Sequence, residues 1–182
     1  MENKVSFIQS VTLILCGGLL QACGNIADGW SGAVVVVAGF ILFYVGLGNL
    51  SLGLDDIGRR AVGLLRIAAI VGIIGGVIDI IPLMGLMSGL LYIAAFILQV
   101  LGFLQLKNSL KLGAVGSSGV SLLVAANALA VIATLFGILP IVGGFLASFL
   151  YLGTLALIIL GWLRVQESLI RQNSTLNEMT TA

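Results

Sequence analysis

Six apolar runs, at about residues 5–22, 31–50, 62–83, 88–106, 118–139 and 141–162, set the terms for this chain. Each is close to the roughly 20 residues that carry a helix across a bilayer. Inside lipid every backbone N–H and C=O must be satisfied within the protein, so only helices or closed barrels can cross. The runs are continuously apolar rather than alternating, which selects helices over barrel strands. Hydrophobic residues make up 60% of the chain and charged residues 8%, too few to coat a water-facing domain. The mean hydropathy is +1.24. The expected fold is all-α: a polytopic membrane helix bundle of six transmembrane helices, forming one domain over residues 1–163 with a tail at 164–182.

The breaks between runs are short: CGNIADGW, SLGLDDIGRR, PLMG, KNSLKLGAVGSS and a last turn at Pro140. Pro82 and Pro140 each remove a helix hydrogen bond, so both are expected where the chain turns back. Alternating the loops between two sides gathers Lys4, Arg59, Arg60, Lys107, Lys111, Arg164 and Arg171 on one side, and the near end of the helix bearing Arg66. Basic residues flanking spans are retained in the cytoplasm. The chain is therefore expected in a bacterial cytoplasmic membrane with both termini cytoplasmic. Trp30 and Trp162 are expected at opposite interfaces, where indoles favour the headgroup level. The polar tail after Ile170 is expected to fray.

The runs also repeat. AGFILFYVG (Ala38–Gly46), AAFILQVLG (Ala94–Gly102) and GTLALIILG (Gly153–Gly161) align, and GFLQLKNSL from Gly102 continues in register with GWLRVQESL from Gly161. The implied unit is a helical hairpin, with copies at about 1–52, 60–111 and 117–170, all starting on one side and hence parallel repeats. Ala68, Gly72 and Gly76 on the third span match Ala126, Ala130 and Thr134 on the fifth. Aligning GGLLQ from Gly17 with GGVID from Gly75 leaves only Ser10 and Gly18 of that stripe on the first span. Small residues four apart let helix backbones approach; packing within the bundle is the expected use, an oligomer seam the alternative.

Leu20-Gln21-Ala22-Cys23, after an apolar run, has the form that ends a bacterial lipoprotein signal. One reading cleaves residues 1–22 and lipidates Cys23; the other keeps the segment as a first helix. Gln21 is bulky beside the cleavage point, Glu2 offsets Lys4, and cleavage leaves two and a half hairpins. Retention is the expectation.

Ile-Pro-x-x-Gly followed by a span ending Gly-[Phe/Trp]-Leu-x-[Leu/Val]-x-x-Ser occurs at Ile81–Ser109 and, imperfectly, at Leu139–Ser168. In this the chain resembles small hairpin-repeat membrane proteins of bacteria and archaea. Its length and three-hairpin plan are also similar to acid-resistance membrane proteins of the HdeD type. Neither resemblance supplies a motif of reactive side chains, so neither assigns a functional residue.

Polar groups inside spans are the pointers to function. Asp79, a turn before Pro82, reads either as a proton- or cation-binding carboxylate or as an interfacial hydrogen-bond acceptor. Arg66 lies about a turn inside the cytoplasmic end of the same helix and is expected to snorkel to the interface rather than bind substrate. Thirteen residues separate the two, about 20 Å along the axis, so they cannot pair. Gln9, Gln99 and Asn127 are expected to bond between helices. Tyr44, Tyr92 and Tyr151 read as packing or interface anchors.

Catalytic machinery is not expected. Without histidine there is no Ser-His pair and no histidine-based metal or haem site. The glycines never form a P-loop. GSSG (Gly116–Gly119) lacks a base and reads as a flexible cytoplasmic linker, DDIGRR (Asp55–Arg60) as a self-neutralised, solvated turn, and Cys16 as too deep for a nucleophile. No cofactor is expected, and a net charge of +1 gives no reason to expect nucleic acid. The expected role is a non-enzymatic assembly, envelope-stress or structural component of the membrane, in contact with the lipid bilayer and with a homo-oligomeric or other membrane-protein partner. The alternative is a small-molecule or ion transporter, or a substrate-binding membrane subunit, using Asp79.

Overall fold

A computed structural model of the chain describes residues 2–27, 29–81, 83–137 and 142–181. Pro82 and Pro140, expected at turns, lie outside the described residues. Six α-helices follow one another: α1 (Glu2–Ile26), α2 (Gly29–Leu50), α3 (Asp56–Asp79), α4 (Gly85–Lys107), α5 (Gly113–Gly137) and α6 (Val142–Thr181), with 3-10 turns at Ser51–Gly53 and Leu110–Leu112. No strand occurs among the described residues, so the protein is an all-α bundle. Five helices carry stretches long and apolar enough to cross a membrane: Trp30–Gly53, Asp56–Asp79, Gly85–Lys107, Leu110–Phe136 and Phe145–Gln172. In α1 the apolar stretch is the shorter Ile8–Gly24.

Local chemistry explains several boundaries. Asp55 caps α3 by accepting a hydrogen bond from the Gly58 N–H at 3.0 Å, which satisfies one of the donors left over at a helix start. After α3, the Ile81 N–H donates to the Ile78 carbonyl at 3.0 Å and the Met84 N–H to the Ile81 carbonyl at 3.2 Å. Leu83 takes the left-handed conformation there, with φ 73°, and is fully exposed. A branched side chain in that region costs about 1–2 kcal/mol.

Consecutive helices pair most extensively as α1–α2, α3–α4 and α5–α6, and these hairpins meet along α2–α3, α4–α5 and α1–α6, which closes a ring. Near the ends of α2 and α4, and midway along α6, the chain places Leu47, Phe103 and Trp162, all buried, with Leu50, Leu106 and Val165 one turn on. The Trp162 ring meets Phe43 edge-on at 6.4 Å and Phe103 at 6.1 Å. Trp162, expected to favour headgroups at an interface, instead turns its ring inward: it is 2% exposed and fills the space where three helices converge. Trp30 is 73% exposed.

One close approach recurs in all three hairpins. A Cβ on Gly46 would lie 2.6 Å from Ile14 and 2.8 Å from the Ser10 carbonyl oxygen. On Gly102 it would meet Leu65 at 2.7 Å and the Ala61 carbonyl at 3.3 Å; on Gly161, Leu123 at 2.8 Å and the Gly119 carbonyl at 2.9 Å. Ser10, Ala61 and Gly119 thus occupy matching places. By these contacts Ser10 answers to Ala61, about two helical turns from the Ala68 that the sequence alignment had matched with it. Gly17, not Gly18, sits at the α1–α2 contact, where its Cβ would lie 2.6 Å from the Gly39 carbonyl. The small residues of α3 pack inside the bundle: Gly72 against Phe40, Gly76 against Val37.

Two further expectations are overturned. GSSG is not a linker but lies within α5, where Gly116 and Gly119 are buried against Ser168, Gly161 and Arg164 of α6. Helix-compatible side-chain bonds explain this: Ser118 Oγ donates to the Val115 carbonyl and Ser121 Oγ to that of Ser117. The tail does not fray at Ile170; α6 continues to Thr181 over 40 residues, about 60 Å at 1.5 Å per residue. Val165 and Leu169 are buried, and Arg171 pairs with Glu167 one turn back, which carries the helix past the apolar run.

Alanine at Gly39 would drive a methyl to 2.7 Å from the Gly17 carbonyl oxygen, whereas nothing lies within 4 Å of a Cβ at Gly63. Gly39→Ala should destabilise the bundle by about 1–3 kcal/mol, and Gly63→Ala should be neutral or stabilising by about 0.5–1 kcal/mol. Thermal melts in detergent read both. Equal effects would contradict the tight α1–α2 contact.

Candidate functional site

The polar side chains singled out by sequence occupy four separate settings. Asp79 is the last residue of α3 and is exposed; its Oδ1 accepts a hydrogen bond from Ser88 Oγ of α4 at 2.7 Å. The bond ties the end of α3 to the first turn of α4 across the turn at Leu83. No group of three or more metal-ligating residues occurs among the described residues.

Arg66 is half-buried on α3 and reaches α2. Its Nη2 donates to Tyr44 Oη at 2.7 Å, and the guanidinium carbon lies 4.3 Å from the centroid of the Tyr44 ring. Stacking on an aromatic face stabilises a cation by about 0.5–2 kcal/mol, more as water is removed. Arg66 Nε is buried and has no hydrogen-bond partner, and no carboxylate pairs with the guanidinium among the described residues. A desolvated donor left unpaired costs about 1–3 kcal/mol. Tyr44, expected as a packing residue or interface anchor, is thus the partner of Arg66.

Asn127, half-buried on α5, bonds within its own helix: Nδ2 donates to the Leu123 carbonyl at 2.9 Å. The expected bond between helices is not made by this donor. Gln99 is half-buried on α4 and Gln9 exposed on α1. Gln21 of α1, unremarked as a site, has a buried Nε2 without a partner where it packs over Gly39. Cys16 and Cys23 are both exposed on the surface of α1.

The strongest polar junction was read from sequence as a solvated turn. Asp56 does pair with Arg59, at 3.8 Å and well exposed, a contact of little energetic weight. Asp55 does something else. Besides capping α3, its carboxylate accepts from Ser109 Oγ and, through Oδ2, from the Leu110 N–H at 3.1 Å. Arg59 Nε donates to the Leu54 carbonyl at 3.1 Å rather than to Asp55. Asp55 thereby joins the start of α3 to the end of α4 and shuts the open end of the middle hairpin. A cap was legible in an Asp followed by an apolar-periodic run; the partner 54 residues away was not.

Partial burial pushes the Asp55 carboxyl up, but the donors Ser109, Gly58 and Leu110 outweigh it and hold the group below its ordinary 3.8. A carboxylate depressed in the folded state contributes stability above its unfolded value and loses it as pH falls through the folded one. Asp55→Ala should cost about 1–2 kcal/mol at neutral pH, and the gap in melting temperature from the parent should close below about pH 4. A gap that persists unchanged at pH 3 would contradict the clasp.

Comparison with protein-family models, with curated proteins and with solved structures found no match to this chain.

Proposed function

We propose that this chain is a non-enzymatic component of a bacterial cytoplasmic membrane that works by assembling there, with copies of itself or with another membrane protein. The observation that carries this reading is the dispersal of its polar chemistry. Asp79 with Ser88, Arg66 with Tyr44, Asn127 with its own backbone and Asp55 with Ser109 are four isolated contacts. A catalytic centre needs a nucleophile, a base and an orienting group within hydrogen-bond reach, and transport sites gather several polar groups at mid-depth, often at broken helices. Asp79 is exposed at a helix end instead, an arrangement suited to holding a turn.

The recurrent Gly46, Gly102 and Gly161 contacts support a threefold hairpin repeat. α1 crosses the membrane with the other five helices, and residues 1–22 stay in place. Val11 and Ile14 are fully buried, and without residues 1–22 the faces of Gly39 and Gly46 on α2, covered by Gly17, Gln21, Ser10 and Ile14, would meet lipid. Both termini are cytoplasmic, because Arg59, Arg60, Lys107, Lys111, Arg164 and Arg171 all fall at one end of the ring.

Two measurements test this. Mild solubilisation followed by mass determination should return a homo-oligomer or a stoichiometric complex with a membrane partner; a monomer alone contradicts assembly. Asp79→Asn should leave growth under envelope stress and every uptake assay at the parental level. A loss of uptake of about tenfold or more would favour the transporter reading in which Asp79 carries charge.

A further inference from the structure

We infer that the Arg66–Tyr44 pair where α2 meets α3 binds the phosphate of an anionic phospholipid in the cytoplasmic leaflet, with Arg66 as its principal ligand. Arg66 and Tyr44 sit at the outer edge of the α2–α3 contact. Their chain neighbours Ile67 and Val45 are exposed, as are Ile70 and Ile41 one turn away, so acyl chains run along both sides of the pair. The guanidinium is fixed by the Tyr44 ring and hydroxyl, which leaves its remaining donors to a ligand. Arginine presents five N–H donors in a planar fork matched to phosphate; Nε is buried, so the phosphate is met by the Nη donors that Tyr44 does not take.

Depth and direction agree with a lipid source. Six residues separate Arg66 from Arg60, about 9 Å along the axis, and a helical side chain leans toward the helix N-terminus. The guanidinium therefore points back toward the level of Arg59 and Arg60. Arg59 lies two turns before Arg66 on the same face and Arg60 is exposed beside it. Arg59 leans on Asp56 at 3.8 Å, a solvent-screened contact that a phosphate can displace. Basic pockets between helices on the cytoplasmic side hold anionic headgroups in this way.

The inference rests on the proposed orientation only for which leaflet supplies the lipid. Retention of a headgroup in a nanodisc is read whichever way the bundle faces, so the two fail separately. Full-length protein is reconstituted in discs of phosphatidylcholine containing a minor fraction of phosphatidylglycerol, and lipids that stay bound are counted by native mass spectrometry. The parent should retain phosphatidylglycerol over phosphatidylcholine, and Arg66→Leu should weaken that preference about fivefold or more with helix content unchanged by circular dichroism. Tyr44→Phe, which frees a donor while keeping the ring, should retain the preference. If Arg66→Leu retains phosphatidylglycerol like the parent, or lowers helix content while leaving the preference intact, the pair is structural and the inference is overturned. If inorganic phosphate in detergent raises the melting temperature as much as the lipid does, the site takes a free anion and the lipid assignment is wrong.

Discussion

Within a bilayer, an apolar side chain gains nothing by leaving lipid for protein, so helices hold together where their backbones touch. This chain depends on that constraint. Gly17 and Gly39 bring α1 and α2 into backbone contact, and Gly46, Gly102 and Gly161 repeat a similar approach once per hairpin. Three pairs set this close bring Leu47 of α2, Phe103 of α4 and Trp162 of α6 into one buried cluster that fills the centre. The aromatic contacts at Trp162 follow from the glycines, because wider hairpins would carry those rings apart.

The same constraint accounts for the placement of polar groups. Polar side chains inside the spans are answered by their own helix, as with Asn127 and Thr154, or by a neighbour one helix away, as with Arg66 and Asp79. The ends of the helices carry more polar chemistry than their middles. Asp55 closes the middle hairpin at one end and the Asp79–Ser88 bond closes it at the other, so α3 and α4 are fastened at both termini. Arg66 is the exception: its charge is stacked and half-buried, yet incompletely satisfied.

Much of the fold was legible because lipid imposes it. Continuous apolar runs near 20 residues read directly as helices, and the Gly46, Gly102 and Gly161 alignment gave the register of α2, α4 and α6. The register of α1 did not come through, because Gly17 and Gly18 are adjacent and neighbouring positions are interchangeable aliphatics. A helix slid by two turns presents nearly the same face. Trp162 was misplaced for a different reason: its position near the end of an apolar run favours an interface, whereas its alignment with Leu47 and Phe103 was the better signal. Serines misled at Gly116–Gly119, since four small polar residues suggest a loop unless a close helix crossing requires them. At the polar positions, sequence identified Arg66 and Asp79 but neither partner. Tyr44 is 22 residues from Arg66, and no local rule relates them.

The account turns on six crossings that bring α2, α4 and α6 back to one side of the membrane. A reporter fused after Ala182 tests this most directly. A fluorescent protein that matures only in the cytoplasm should glow there, while alkaline phosphatase in its place should stay inactive. Active phosphatase would put the C-terminus outside and contradict the cytoplasmic return of α2, α4 and α6.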